Sequence, residues 1–170
     1  MKPLFSGVIA GKVTPYVRVQ GRFAKPAKRY HASQRRIAYL MAMECCEADY
    51  GQRKIVEATH SLRREGVKDI FRLPPVDIPY RFGLRMTAPV VKSKSSPNYG
   101  QLPGNAGDYD NVVKAFLDAA QYAGVVAEDS LRWYRGPAPV VIDGELLASG
   151  VVAGVEWSYQ WSFVDARLIE

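Results

Sequence analysis

Hydrophobic residues recur along this chain at two different spacings, which predicts both strands and helices. Apolar residues alternate with polar ones from Ile78 to Val90, and again from Val155 to Phe163. A period of two predicts strands with one buried face. Shorter strands are expected at 4–10 and 13–19, as an early hairpin around Gly11-Lys12, and at 131–134 and 140–142.

The first helical pattern follows a basic segment, residues 20–32, that is expected to be a loop because it contains Pro26. Ser33 is the expected N-cap of a helix that runs to about residue 50, since serine oxygens accept hydrogen bonds from the free N–H groups of a first turn. A weaker helical pattern covers about residues 53–65.

A second helix is expected over about residues 111–123, after a polar loop at 92–107, and it should end near Gly124. Asp110 stands at the expected N-cap position. On a helical wheel, one arc is apolar and packs on the core, whereas a second arc is polar. The apolar arc contains Val112, Val113, Phe116, Leu117 and Ala120, and the polar arc contains Asn111, Lys114, Asp118 and Gln121.

Strands near both ends of the chain with helices between them predict one α+β domain over residues 1–170, with a mixed or antiparallel sheet packed against helices. Hydrophobic residues make up 48% of the chain, but no apolar run approaches the ~20 residues of a membrane-spanning helix. The start of the chain lacks the apolar stretch of a secretory signal. A cytoplasmic protein with no membrane partner is expected.

Positive charge is concentrated in the first half of the chain. Residues 1–75 carry 15 Lys/Arg and 6 Asp/Glu, whereas residues 76–170 carry 8 and 11. Such a basic block fits a solubilising surface, and it also produces a field that attracts nucleic acids. Contacts to phosphates would give affinity without sequence readout. The candidate DNA-binding residues are Arg22, Lys25, Lys28, Arg29, Arg35 and Arg36, with Lys92 and Lys94 on the later loop.

Carboxylates cluster around the second helix. Residues two apart point the same way in an extended segment, so Asp108 and Asp110 are expected to converge, with Asp129 following the helix. Mg²⁺ prefers oxygen ligands, and carboxylates together with a substrate phosphate suffice to hold it. Lys114, one turn after Asp110, is expected to contact that phosphate or to balance the acids. Asp118 either supports the site or forms a surface pair with Lys114.

The segments 108–119 (DYDNVVKAFLDA) and 124–130 (GVVAEDS) together resemble the signature of the RusA-type Holliday junction resolvases, which phages and prophages often encode. In that family an Asp-x-Asp-Asn sequence opens a helix that carries a Lys and an Asp, and an acidic pair follows the helix. A looser resemblance covers Arg22–Ala48 and Gly154–Phe163. Relative to compact members of the family, residues 51–75 are expected to be an added segment.

The resemblance implies that Asp108, Asp110 and Asp129 are ligands of Mg²⁺, with Mn²⁺ as a substitute, and that Lys114 is a catalytic-site lysine. It implies a homodimer that binds four-way DNA junctions and makes paired symmetric nicks in recombination and repair. The acidic pair is commonly Asp-Asp in the family, whereas here it is Glu128-Asp129. Only Asp129 therefore carries over cleanly, and Glu128 is a further candidate ligand.

Two other classes of protein fit parts of the pattern. A non-catalytic module that binds branched DNA would keep the basic region and use the acids structurally. A small metal-dependent glycosyltransferase would bind a nucleotide sugar through Asp-x-Asp, but the basic region argues against it. An EF-hand is excluded, because Val113 and Ala119 stand where Gly and Glu are required. Packing roles are expected for Tyr109 and for the stripe Trp157, Tyr159, Trp161 and Phe163, and a structural or exposed role for His31 and His60.

Overall fold

Seven strands and two α-helices are found in the part of the chain that the computed structural model describes, residues 3–16, 24–48, 78–104, 107–126 and 128–168. A 3₁₀ turn at Ala166–Leu168 ends this part. In chain order the elements are β1 (Phe5–Ala10), α1 (Ala24–Ala48), β2 (Tyr80–Pro89), α2 (Tyr109–Ala123), β3 (Tyr134–Pro137), β4 (Val140–Ile142), β5 (Glu145–Leu147), β6 (Gly150–Gly154) and β7 (Ser158–Asp165).

The long strand β2 is the centre of a mixed five-stranded sheet. One edge of β2 pairs antiparallel with β7, from Tyr80 opposite Asp165 to Thr87 opposite Ser158. Its other edge pairs in parallel with two short strands, β3 and β6. The strand β1 pairs antiparallel with β7 on the far side. The prediction of an α+β domain with a mixed sheet is therefore confirmed.

One face of the sheet packs against both helices. The alternating residues that lie within β2 and β7 are buried there, which confirms them as strand core. Trp157 and Val155 precede β7, and they are half-buried and 78% exposed, so the expected buried face does not extend to them. Phe82 and Phe163 pack with ring centroids 4.7 Å apart. Burying a side chain of this size contributes about 1.5–3 kcal/mol. The helices add buried residues to the same core, among them Ile37, Met41, Phe116 and Ala120.

The other face of the sheet is covered by the β4–β5 hairpin. Val141 donates its amide N–H to Ser162 Oγ at 2.9 Å, which satisfies the hydroxyl of a fully buried serine. The segment that leads into this hairpin passes close to Gly83, where a Cβ atom would lie 2.6 Å from the carbonyl oxygen of Pro139. A side chain at position 83 would therefore force the backbone of Ala138 and Pro139 to move.

The early part of the chain differs from the expectation. Residues 12–16 are not a strand, and β1 pairs with β7 instead of forming a hairpin. The helix α1 begins at Ala24, so residues 24–32 are helical and Ser33 is not a cap. Pro26 falls in the first turn of α1, where proline costs no helical hydrogen bond. Ser33 Oγ instead accepts a hydrogen bond from the Thr14 amide at 2.9 Å.

The later elements agree better with those expected from the sequence. The strand at 140–142 is confirmed, but 131–133 form a turn and β3 starts only at Tyr134. The last strand begins at Ser158, and the short strands β5 and β6 were not expected. The expected helix at 53–65 and the added segment at 51–75 lie outside the described residues. Neither described helix is long and apolar enough to cross a membrane.

Candidate functional site

The two aspartates of the Asp-x-Asp sequence lie at the start of α2. Asp108 is the N-cap residue with extended backbone angles (φ −74°, ψ 140°), whereas Asp110 lies in the first helical turn. The expectations that Asp110 is the cap and that both residues lie in an extended segment are therefore wrong. The helix begins earlier because the backbone carbonyl of Asp108 already accepts the amide N–H of Val112 at 3.2 Å. Both carboxylates are exposed, and that of Asp108 makes no capping hydrogen bond.

The segment that precedes α2 is held by close contacts. Gly107 has a positive φ of 82°, and a Cβ atom there would lie 2.6 Å from Pro15 Cγ. Only glycine meets both conditions without strain. Tyr16 donates its amide N–H to the carbonyl of Asn111 at 3.0 Å, which joins the N-terminal segment to the first turn of α2.

Tyr109, between the two aspartates, packs against the sheet as expected. Its side chain is half-buried, and its hydroxyl donates to the backbone carbonyl of Leu84 in β2 at 2.6 Å. This contact orients the first turn of α2 relative to the sheet. The acids on either side of Tyr109 are thereby placed at an exposed rim of the fold.

Lys114 connects two carboxylates on the polar side of α2. Its Nζ atom lies 2.7 Å from Asp129 Oδ2 and 2.9 Å from Asp118 Oδ1. Partial burial lowers the pKa of Lys114, but hydrogen bonds and charge from Asp129 and Asp118 outweigh it, so the net pKa is raised. Lys114 is therefore held as a cation between the two acids.

A hydrogen bond connects the Lys114–Asp118 ion pair to α1. Tyr30 donates its hydroxyl to Asp118 Oδ2 at 2.8 Å. Burial raises the pKa of Tyr30, and the hydrogen bond to the Asp118 carboxylate raises it further, so the hydroxyl remains a donor. A chain of polar contacts thus runs from Tyr30 on α1 through Asp118 and Lys114 to Asp129.

The backbone beside Asp129 is fixed by a buried tyrosine. Tyr80, only 1% exposed, donates its hydroxyl to the carbonyl of Glu128 at 2.8 Å. The carboxylate of Glu128 is exposed and accepts a hydrogen bond from Ser130 Oγ at 3.0 Å. Asp129 is therefore held from two sides, through its own carboxylate by Lys114 and through the preceding carbonyl by Tyr80.

The charges of both acidic segments affect the pKa of Tyr134. Its pKa is raised by burial first and then by the charge of Asp129, while Arg81 lowers it and Asp110 raises it. Asp110 also raises the pKa of Tyr109. The carboxylates of Asp110 and Asp129 thus act on one region of the surface, around Tyr134.

Carboxylate oxygens are donors that hard cations prefer, but the described acids are not assembled into a metal-binding group. Among the described residues, no group of three or more His, Cys, Asp or Glu side chains could hold a metal ion by itself. Mg²⁺ usually keeps several waters and binds through one or two carboxylates together with substrate phosphates. The described carboxylates, Asp108, Asp110 and Asp129 among them, therefore do not form a closed protein cage for a metal ion.

The candidate DNA-binding residues that the structure describes are exposed. Lys28, Arg29 and Arg35 project from α1, and Lys92 and Lys94 lie on the loop after β2. Arg36 is also exposed, but its guanidinium donates to the carbonyl of Ala10. His31 is exposed, as expected. Arg22, the side chain of Lys25, and His60 lie outside the described residues.

Sequence reasoning missed three tyrosines of this site: Tyr30, Tyr80 and Tyr134. The available signal was weak. A buried tyrosine usually finds a hydrogen-bond partner, so tyrosine in place of phenylalanine at the first buried position of β2 points to a polar contact there. Nothing in the sequence connects Tyr30 with Asp118, because 88 residues separate them.

Comparisons of the chain with protein-family models, with curated proteins and with solved structures gave no match.

Proposed function

We propose that the chain is a Mg²⁺-dependent endodeoxyribonuclease that cuts branched DNA and resolves four-way (Holliday) junctions in recombination and repair. The observation that supports this most directly is the pairing of Lys114 with Asp129, 2.7 Å apart, beside the exposed acids of α2. Phosphodiester hydrolysis needs carboxylates for a metal and a cation for the phosphate, and both are present here.

The proposed roles follow from the positions of the side chains. Asp108, Asp110 and Asp129 would supply oxygen ligands to Mg²⁺, which when bound supplies an activated water and stabilises charge at the scissile phosphate. Lys114 balances the acids and donates to a phosphate oxygen when the substrate is present. Tyr80 keeps the carbonyl before Asp129 in place, so that this carboxylate does not have to be ordered during the reaction.

The exposed cations of α1 are proposed to contact the DNA backbone. Lys28, Arg29 and Arg35 are exposed, and the same helix carries Tyr30, whose hydroxyl binds Asp118. DNA bound along α1 would therefore lie close to the polar chain that leads to Asp129. Two copies of the chain, as a homodimer, would cut equivalent phosphates across the two-fold axis of a symmetric junction.

A second candidate is a non-catalytic module that binds branched DNA. One observation favours it, namely that the described acids do not form a group of three that could hold a metal ion. In this case the Lys114 ion pairs would only stabilise the end of α2. Such a module would bind junctions equally well with or without Mg²⁺.

One experiment separates the two candidates. The protein is incubated with a labelled synthetic four-way junction, or with linear duplex of the same sequence, in Mg²⁺ or in EDTA. A nuclease of the proposed kind cuts the junction, spares the duplex and needs the metal. Binding of the junction without cleavage in either Mg²⁺ or Mn²⁺ would favour the module, and no binding would remove DNA as the ligand.

A further inference from the structure

An exposed leucine follows the acidic pair. Leu131 is 90% exposed, more than any other large hydrophobic side chain among the described residues. It lies on the rim of an open cavity of about 500 Å³ that is also lined by Tyr134, Arg135 and Gly136. The backbone of this cavity continues directly from Asp129, so the cavity adjoins the candidate metal site. We call it the 131–136 recess.

Leu131 lies in a turn that is fixed by hydrogen bonds. The amide N–H groups of Trp133 and Tyr134 both donate to the carbonyl of Ser130, at 3.0 and 2.8 Å. Tyr80 donates its own amide to the carbonyl of Trp133 at 2.8 Å, and its ring packs on Tyr134 with centroids 5.7 Å apart. The core thus fixes both sides of the turn, while Leu131 stays in solvent.

Arginine and aromatic side chains surround the recess, and the charges of Asp129 and Asp110 also reach its Tyr134. Arg132 and Arg135 are exposed, and the guanidinium of Arg132 lies 4.9 Å from the ring centroid of Trp133. Arg81 Nη1 donates to the carbonyl of Arg135 at 2.6 Å, while its buried Nε has no hydrogen-bond partner. Arginine and aromatic rings side by side are typical of surfaces that bind unstacked bases together with their phosphates.

We propose that the 131–136 recess binds an unpaired nucleobase of the strand to be cut, with Leu131 as an apolar wedge at the branch point. This inference rests on the proposed function and names the part of the substrate that the surface beside Asp129 recognises. Proteins that open base stacks insert leucine and similar side chains between bases, and the freed base stacks on an aromatic ring. Tyr134 supplies that ring, and Arg132 and Arg135 lie where the flanking phosphates would be.

The composition of the recess favours DNA over a second copy of the chain. A stable protein interface buries several hundred Å² on each partner and has an apolar centre. Here the exposed apolar part is a single leucine, and exposed arginines flank it at positions 132 and 135. The exposed arginines, which match phosphates, and the lack of an apolar centre therefore favour a DNA strand over a second copy.

The test uses a four-way junction with 2-aminopurine paired opposite the base at the branch point, whose fluorescence rises when that pair and its stack open. The full chain is added in EDTA, so that no cleavage occurs. We expect wild type to raise the fluorescence, and Leu131→Ser to bind the junction but to reduce the rise to about half or less. The matched control is Val155→Ser, because Val155 is 78% exposed and follows β6 at the far end of β2.

Each alternative outcome overturns the proposal in a recognisable way. An unchanged rise with Leu131→Ser would show that the leucine does not separate bases. Conversion of a dimer to a monomer by the same substitution, seen by sedimentation at matched concentration, would show that a second copy occupies the recess. If wild type does not bind the junction at all, the proposed function fails as well. If wild type cleaves the junction and Leu131→Ser gives the same fluorescence rise as wild type, only the wedge role of Leu131 is contradicted, and the proposed function stands.

Discussion

Lys114 Nζ lies 2.7 Å from Asp129 Oδ2 and joins the middle of α2 to the segment that follows the helix. The same ammonium lies 2.9 Å from Asp118 Oδ1, so one cation serves two carboxylates. Half-exposed pairs of this kind contribute little to folding stability, because water and salt screen them. In the proposed function, this cation instead holds Asp129 in place and contacts the phosphate.

Replacing Lys114 by methionine separates its contribution to folding stability from its contribution to cleavage. We expect Lys114→Met to change the free energy of unfolding by less than about 1 kcal/mol, because its side chain is 41% exposed. Junction cleavage in Mg²⁺ should fall by about 10²-fold, since a positioned cation that stabilises charge in the transition state is lost. Urea denaturation and single-turnover cleavage measure the two effects.

The control for this substitution is Lys12→Met. Lys12 is also exposed, and its ammonium lies 5.1 Å from the ring centroid of Trp157, near the end of β1. This variant should cleave at the wild-type rate. If Lys114→Met cleaves as fast as Lys12→Met, the lysine has no part in the chemistry.

Tyr80 and Tyr159 offer a matched pair of buried hydroxyls. Tyr80 donates to the carbonyl of Glu128, whereas Tyr159 accepts the amide of Val13 at 3.2 Å. Both Tyr80→Phe and Tyr159→Phe should lower the free energy of unfolding by about 1 kcal/mol, the typical value of one hydrogen bond. Only Tyr80→Phe should also slow cleavage, because only Tyr80 holds the backbone beside Asp129.

Equal cleavage rates for these two variants, measured at saturating Mg²⁺ and at a temperature where both are folded, would remove the positioning role of Tyr80. A Mg²⁺ titration of the rate supplies a second readout. We expect Tyr80→Phe to need more metal for half-maximal cleavage, because Asp129 is less well ordered.

The exposed arginines of α1 predict the salt dependence of DNA binding. Each phosphate contact contributes about 0.9 to the slope of log K against log salt concentration. Arg29→Gln and Arg35→Gln should therefore each reduce the slope by about that amount and weaken junction binding. Arg167→Gln is the control, because that guanidinium already pairs with Asp165 at 2.6 Å. A slope that none of the three changes would show that α1 does not face the DNA.

Buried tyrosines predict a loss of stability at high pH. Burial raises the pKa of Tyr30 and of Tyr80 above the usual value of about 10, so both stay protonated in the folded chain while the unfolded chain loses these protons. Stability is therefore unaffected by these groups below about pH 9 and falls as pH rises above about 10.

Each such tyrosine contributes at most about 1.4 kcal/mol per pH unit to this fall. Urea denaturation between pH 8 and 11 measures it. Tyr30→Phe should make the alkaline slope shallower than that of wild type. Identical slopes for wild type and Tyr30→Phe would contradict the burial of the Tyr30 hydroxyl.

The sequence predicted those helices and strands that are specified by residues close together in the chain. The alternation of β2 and the Gly124 stop of α2 were visible in the sequence, and both are found in the structure. The partner of β1 was not visible, because a strand does not specify which distant strand it pairs with, and the expected hairpin was wrong. The start of α1 was misplaced because Pro26 is compatible both with a loop and with a first helical turn.

The candidate site was predictable in part. The helix that follows the Asp-x-Asp sequence was predicted from its apolar periodicity. The pairing of Lys114 with Asp118 follows from their four-residue spacing along that helix. The contacts of Tyr30 with Asp118 and of Tyr80 with Glu128 depend on tertiary packing across 88 and 48 residues. Side chains brought together only by the fold leave no periodic trace in a single sequence.

Cleavage of a fixed four-way junction, mapped to single nucleotides, tests the central claim most directly. Wild type, Asp110→Asn and Glu156→Gln are compared in Mg²⁺, with Glu156 as the exposed acid outside the candidate site. We predict paired symmetric nicks by wild type and Glu156→Gln, and binding without cleavage by Asp110→Asn. Cleavage by Asp110→Asn at the wild-type rate, or intact junctions bound to wild type in both Mg²⁺ and Mn²⁺, would contradict the claim.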